Sequence, residues 1–365
     1  MDFGVITAKS DFSRVPVGRD TVHRITVYGA DNLYPDRMES IALLSPITKS
    51  AIKLRAGFIR GNGFENGEQV VNEQGETAND ILRLISEDKA MFDGYALHLN
   101  STGLSQVKEI QHVEFGFVRL GLADQKGRIR YVMVSNNWSG SSYKLPTNEI
   151  SPVRYSLFDA EQNGREALTT AKGMILYSTP KKNQYPLASN DAIAEVCVTD
   201  HELAVFQLGN VVNGFLSMSV FKYPTSGNTE DEEEELRKKL NQLRGARNAN
   251  SVIVAGIDED YEGSGNLVEQ IPANNNDSLF INTVLNVKNS IIQNYNVPAS
   301  LMTMLPAGAL FTAQQIADDF TYLNLITQDT RNEIERQFEK FGLDLGRIVP
   351  RQFESSQMLT PQTGL

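Results

Sequence analysis

This 365-residue chain has one cysteine, one tryptophan and four histidines, and it lacks a basic surplus. A lone Cys197 excludes an intrachain disulfide, reads as a small core residue in a helix, and suits synthesis in a reducing cytosol. No apolar run reaches the roughly 18 residues needed to cross a bilayer. The first ten residues show no basic segment ahead of an apolar block, so no signal peptide is expected. Lys and Arg number 34 against 45 Asp and Glu, a net charge of −11. Phosphate-neutralising DNA binders are usually basic, so tight DNA binding is disfavoured. The acidity fits either plain solubility or a surface that DNA slides past.

Nucleotide and metal signatures are missing too. There is no Gly-x-x-x-x-Gly-Lys-Ser/Thr loop and no Gly-x-Ser-x-Gly elbow, and Gly61-Asn-Gly63 lacks the third glycine of a dinucleotide fingerprint. His23, His98, His112 and His201 form no metal-ligand pattern. Residues 258–269 match the spacing of a calcium loop, with Glu262 at its fifth position. Their flanks read as strands, so an acidic hairpin loop is expected. No catalytic residue, metal or cofactor is expected.

What is present is organisation. Hydrophobic residues make up 41%, enough for a core. A short strand is expected over 22–28, then a turn-rich stretch in which Pro35 breaks regular structure. Ser45-Pro46 opens a helix to Arg60, ended by Gly61. A second helix covers 78–92. The period then changes to two, and 95–99, 107–112, 115–120, 128–134, 153–158 and 174–177 read as an antiparallel sheet. Trp138 follows a strand and caps a small core or meets another subunit.

A helix over 190–213 leads into an insert with ten acidic and five basic residues between 225 and 263. Within it, Glu234–Lys238 and Glu235–Lys239 sit four apart in a predicted helix, and strands are expected at 251–257 and 267–271. The next helix, 278–296, carries Phe280, Val284, Val287 and Ile291 on one stripe until Val297-Pro298 stops it. A Met-, Ala- and Gly-rich loop, 299–311, follows. Thr312 and Gln315 form a capping box for a last long helix. Its stripe is Ile316, Phe320, Leu323, Ile326, Thr330, Ile334, Phe338 and Phe341, and Gly342 ends it. Asp318 and Asp319 fall on its polar face. The fold class is α+β.

This order of elements resembles the portal proteins of tailed bacteriophages in their compact form, over about residues 22–341. Residues 45–60 look like the early wing helix. Phe92-Asp-Gly-Tyr-Ala96 is similar to the stretch that leads into the wing strands. Tyr185-Pro-Leu-Ala188 sits where such proteins place a short loop before the first stem helix. Asn296-Val-Pro-Ala-Ser-Leu-Met302 matches a Val-Pro-x-x-Leu pattern, with Asn296 where the family has glycine.

The resemblance implies a wing at 1–189, stem helices at 190–220 and 273–298, and a clip at 221–272. It implies a tunnel loop at 299–311, a tunnel helix at 312–349 with little crown, and a flexible tail at 350–365. Leu301, Met302, Met304, Leu305, Pro306, Ala307 and Gly308 would line the DNA channel. Glu230, Asp231, Glu232, Glu233, Glu234, Glu235, Arg237, Lys238 and Asn241 would meet the terminase large subunit and a head–tail adaptor. The implied protein is a non-enzymatic, dodecameric ring at the capsid vertex, made in the host cytoplasm and away from membranes. It would contact the major capsid or scaffolding protein and pass double-stranded DNA. Another head–tail connector or structural ring is the alternative.

Overall fold

The computed structural model describes residues 18–101, 107–125, 127–138, 152–158, 173–182, 184–212, 218–224, 252–257, 268–271, 277–302 and 312–353, with the backbone alone over 210–280. The chain divides into two compact units, one made of Met1–Cys197 with Ser290–Leu365, the other of Val198–Asn289.

The first unit is built on a six-stranded sheet. Its strands are β3 (Tyr95–Ser101), β4 (Val107–Val113), β5 (Val118–Leu120), β6 (Tyr131–Val134), β7 (Val153–Leu157) and β8 (Met174–Ser178), in the order β4-β3-β8-β7-β6-β5. The expected all-antiparallel sheet is corrected at one pair, because β7 and β8 run parallel. Residues 115–117 form a 3-10 turn, so the expected strand over 115–120 shortens to its last three residues.

Alternation along the strands divides the core. Tyr95, Leu97 and Leu99 with Met174 and Leu176 enter one cluster, whereas Ala96 and Ile175 enter the other. The central strands are thus covered on both faces.

One cover is helical: α2 (Pro46–Arg60), α3 (Ala78–Phe92) and α7 (Gln328–Lys340) supply Ile59, Ile81, Leu82, Ile85, Ile334 and Phe338 to the first cluster. Ser45 caps α2 by accepting the Thr48 N–H. Thr77 and Asp80 form a full capping box on α3, a pairing the sequence reading overlooked. The other cover holds α1 (Tyr34–Leu44) and a group of tyrosines. Here Pro35 opens a helix instead of breaking one. It lies in the first turn, where a missing N–H costs nothing. The expected strand over 22–28 contracts to β2 (Ile25–Thr26), paired with β1 (Arg19–Asp20).

In the second unit, β9 (Met218–Pro224) lies between β10 (Val252–Ile257), which runs parallel to it, and β11 (Val268–Ile271), which runs antiparallel. The strands flanking 258–267 therefore do not pair with each other, because β9 lies between them, which corrects the expected hairpin; residues 258–267 themselves lie outside the described residues. Helices α4 (Ala194–Val212) and α5 (Asp277–Tyr295), 19 residues each, span the boundaries between units. At about 1.5 Å per residue each is about 28 Å long.

Candidate functional site

The segment that follows α5 is the part of the candidate channel loop open to description. Asn296 leaves the helix with φ 51°, and its N–H bonds to the Gln293 carbonyl. That left-handed conformation suits glycine or asparagine, which gives a physical reason for Asn at this position. Val297 is buried and donates to the Ile292 carbonyl. Pro298 then starts a 3-10 turn, Ala299–Met302, with the Leu301 N–H bonded to the Pro298 carbonyl.

Ser300 donates to the Asp319 carboxylate of α6 (Ala313–Ile326), which ties the turn to that helix. Asp319 thus departs from its expected role as a purely solvated residue, whereas Asp318 stays exposed and accepts from Gln314. Leu301 and Met302 are half-buried. Met304, Leu305, Pro306, Ala307 and Gly308 lie outside the described residues, as do all the clip candidates from Glu230 to Asn241.

Two anchors hold this segment. Asn294 donates 2.7 Å to the Ser189 carbonyl, and Ser189 Oγ lies 3.3 Å from the buried Tyr295 hydroxyl. Burial pushes the Tyr295 hydroxyl up to about 12, so it stays neutral. Ser189 follows Tyr185-Pro-Leu-Ala188, whose Tyr185 stacks on Tyr28 at 4.0 Å and accepts the Leu120 N–H. Ahead of α4, Asn190 donates to Met38 and Asp191 accepts from Tyr34. Cys197 is buried in α4, 3.1 Å from Thr48 Oγ1, as a core cysteine should be.

The second anchor is the return helix. Thr312 and Gln315 form the expected capping box. The long helix is not continuous, however: it breaks at Thr327, and α7 begins at Gln328. Leu323, Ile334, Phe338 and Phe341 are buried on the expected stripe, but Thr327 and Arg331 lie on it too. Thr327 Oγ1 donates 2.6 Å to the Leu323 carbonyl. Arg331 donates to Thr327 Oγ1, to the Asn324 carbonyl and to the Phe58 carbonyl of α2. These bonds supply acceptors and donors at the break that a straight helix would satisfy within itself.

Beyond Gly342, the chain returns along the end of α2. The Asn62 N–H donates to the Val349 carbonyl, the Val349 N–H donates to the Gly63 carbonyl, and Phe353 packs on Phe320. Ordered packing thus runs into the region expected to be a flexible tail, up to Phe353.

Sequence reasoning missed Arg119. It is fully buried, donates to the Asn32 side chain and carbonyl and to the Gly116 carbonyl, and lies 5.1 Å from the Trp138 ring. Trp138 itself donates to the Phe117 carbonyl and is buried against this unit. Among the described residues, no three His, Cys, Asp or Glu side chains gather as metal ligands. No described helix is long and apolar enough to cross a membrane.

No protein-family model matches this chain, and no characterised protein matches it in sequence. Its backbone does have a counterpart. The chain shares its fold with a chain of a gene transfer agent virion. That chain, from the virion of a native gene transfer agent particle, superposes with a TM-score of 0.51 at 11% identity, covering 86% of this chain and 83% of its own. A chain from the neck of the native particle, computed with C12 symmetry, gives 0.46 at 13% identity over 77% and 74%. One from the neck of the empty particle, computed with C6 symmetry, gives 0.45 at 12% over 78% and 75%.

Proposed function

We propose that this chain is a portal-type subunit. Copies form a ring at one vertex of a phage-like particle, and double-stranded DNA passes through the axial hole during packaging and release. The order of elements carries this reading. A two-faced wing sheet leads to a 19-residue helix, a small three-stranded unit, a second 19-residue helix, a Val-Pro break and a capped return helix. The shared fold with a virion component, over most of both chains, supports it.

Helix surfaces support ring formation. Val198, Val205 and Leu208 on α4 are 38%, 48% and 61% exposed, and Ile281 and Leu285 on α5 are 54% and 48% exposed. Apolar residues repeated along two helices are better buried, and neighbouring copies in a closed ring would cover them. In this reading the subunit performs no chemistry. A separate terminase ATPase docks on the acidic clip, which a head–tail adaptor later occupies.

Negative-stain microscopy of the purified chain, with mass photometry, tests the proposal. Rings with a hole wide enough for duplex DNA support it. A closed assembly without an axial hole, or a monomer that turns over a substrate, overturns it.

A further inference from the structure

A cleft of about 590 Å³ opens on the first unit where the end of α2, the start of α3, α6 and the returning chain meet. Three arginines, Arg60, Arg83 and Arg351, line it, together with Asn62, Asp80 and Phe320. Arg351 is held in place. Its guanidinium lies 5.6 Å from the Phe58 ring and against Gly57, where a Cβ would come within 3.1 Å of Nη2. The backbone bonds Asn62 N–H to Val349 and Val349 N–H to Gly63, 2.8 and 2.9 Å, pin its segment beside Arg60.

The acids nearby lie toward Arg83 and Thr77: Asp80 gives one oxygen, Oδ2, to the Thr77 capping box and its charge faces Arg83, and Glu87 pairs with Arg83 at 3.3 Å. Among the described residues no carboxylate pairs with Arg60 or Arg351. Arg60 complements the carbonyl end of α2 from its last turn. Arg351 has no such role. Burial, reinforced by the Arg60 charge, holds its pKa below the usual guanidinium range. Two arginines with no carboxylate partner among the described residues, one of them held against Phe58 and Gly57, are unexpected in one cleft of a chain with an excess of acids.

An outside anion resolves the arrangement. One guanidinium fork saturates a carboxylate, whereas two forks in one cleft suit a tetrahedral oxyanion with more acceptor positions. We propose that this cleft binds a phosphate group between Arg60 and Arg351. Nucleic-acid phosphodiester and free phosphate share that chemistry, and the test separates them.

Calorimetric titration of the full chain with inorganic phosphate at low salt is the first arm. Saturable binding is expected, weakened about tenfold or more by Arg60→Gln and by Arg351→Gln. Arg37→Gln, in the exposed pair with Asp31, leaves it unchanged. Arg60→Gln keeps the test decisive, since it spares the Phe58 contact that Arg351 makes. In the second arm, a labelled duplex is titrated at rising salt. Weaker duplex binding in the variants, with a salt slope smaller by about 1–2, assigns the site to nucleic acid. Unchanged duplex binding with lost phosphate binding assigns it to free phosphate. Equal phosphate response in wild type and in a chain carrying both Arg60→Gln and Arg351→Gln overturns the proposal.

Discussion

The Arg331 guanidinium donates 2.9 Å to the Phe58 carbonyl, and this bond joins the break between α6 and α7 to the last turn of α2. The Phe58 carbonyl is among the four that a helix leaves without an internal partner at its C-terminus. Arg331 also holds Thr327 and Asn324, and it is 4% exposed. Arg331→Met keeps the length of the side chain but strands several buried acceptors. A loss of about 2–4 kcal/mol in unfolding free energy is expected, since each orphaned acceptor costs about 1–3 kcal/mol. Urea unfolding followed by circular dichroism measures it. A loss below about 0.5 kcal/mol would show that the break is held by apolar packing instead.

Arg119 offers a sharper contrast between charge and shape. Its donors run to the Asn32 side chain through Nε, to the Asn32 carbonyl through Nη2, and to Gly116 and Val118 through Nη1. Lysine keeps the charge but has no planar fork. Arg119→Lys is therefore expected to cost about 2–4 kcal/mol, comparable with removing a partner from a buried charge network. Because Arg119 also lies near the Tyr28 ring, which stacks on Tyr185, the same variant should loosen residues 185–191. Hydrogen exchange of the Ala188 amide, which donates to Tyr34, reports that directly.

Asp88 gives a pH dependence with a defined sign. Burial raises its pKa above the usual 3.8, and the His112 hydrogen bond, 2.7 Å, and the Phe115 N–H only partly oppose this. Glu114 adds to the rise. With the folded value above the unfolded one, the native state binds the proton more tightly. The stability contribution is full below about pH 4 and is lost as pH climbs through the raised pKa. Asp88→Asn mimics the protonated form, so its stability relative to wild type should improve from pH 4 to pH 7. Melting temperatures of both proteins across that range test it, and a constant difference would refute the assignment.

Much of the fold was legible in local patterns. Ser45-Pro46, the period-two strands, Thr312 with Gln315, and Gly342 with φ 81° each act within a few residues, so spacing alone reports them. The rest depends on distant partners. Thr327 and Arg331 continue an apolar stripe as polar residues, which makes sense only once α2 presents Phe58 to them. Likewise, the parallel β7–β8 pair and the place of β9 between β10 and β11 are topological, and no run of residues marks either. The arginine cleft joins residues nearly 300 positions apart. Of the proposed channel segment, the Val-Pro stop and capped return helix were readable because proline and a capping box act locally.

The last prediction concerns the proposed channel. Leu305 and Ala307 belong to the segment between the 3-10 turn and the cap at Thr312. Both ends of that segment are held: ahead of it Asn294 bonds Ser189 and Ser300 bonds Asp319, and after it Thr312 and Gln315 cap α6. In a ring, a lysine at either position would be repeated in every copy, placing a circle of cations around the duplex. Each cation attracts phosphate and releases counterions, so sliding would turn into a series of binding steps. Leu305→Lys or Ala307→Lys should therefore slow packaging in a reconstituted assay, with partial recovery at higher salt because the added attraction is screened. Leu305→Gln, polar but uncharged, should package at close to the wild-type rate. An unchanged rate in both lysine variants would place these residues away from DNA, and slowing by Leu305→Gln as well would point to loop packing as the cause.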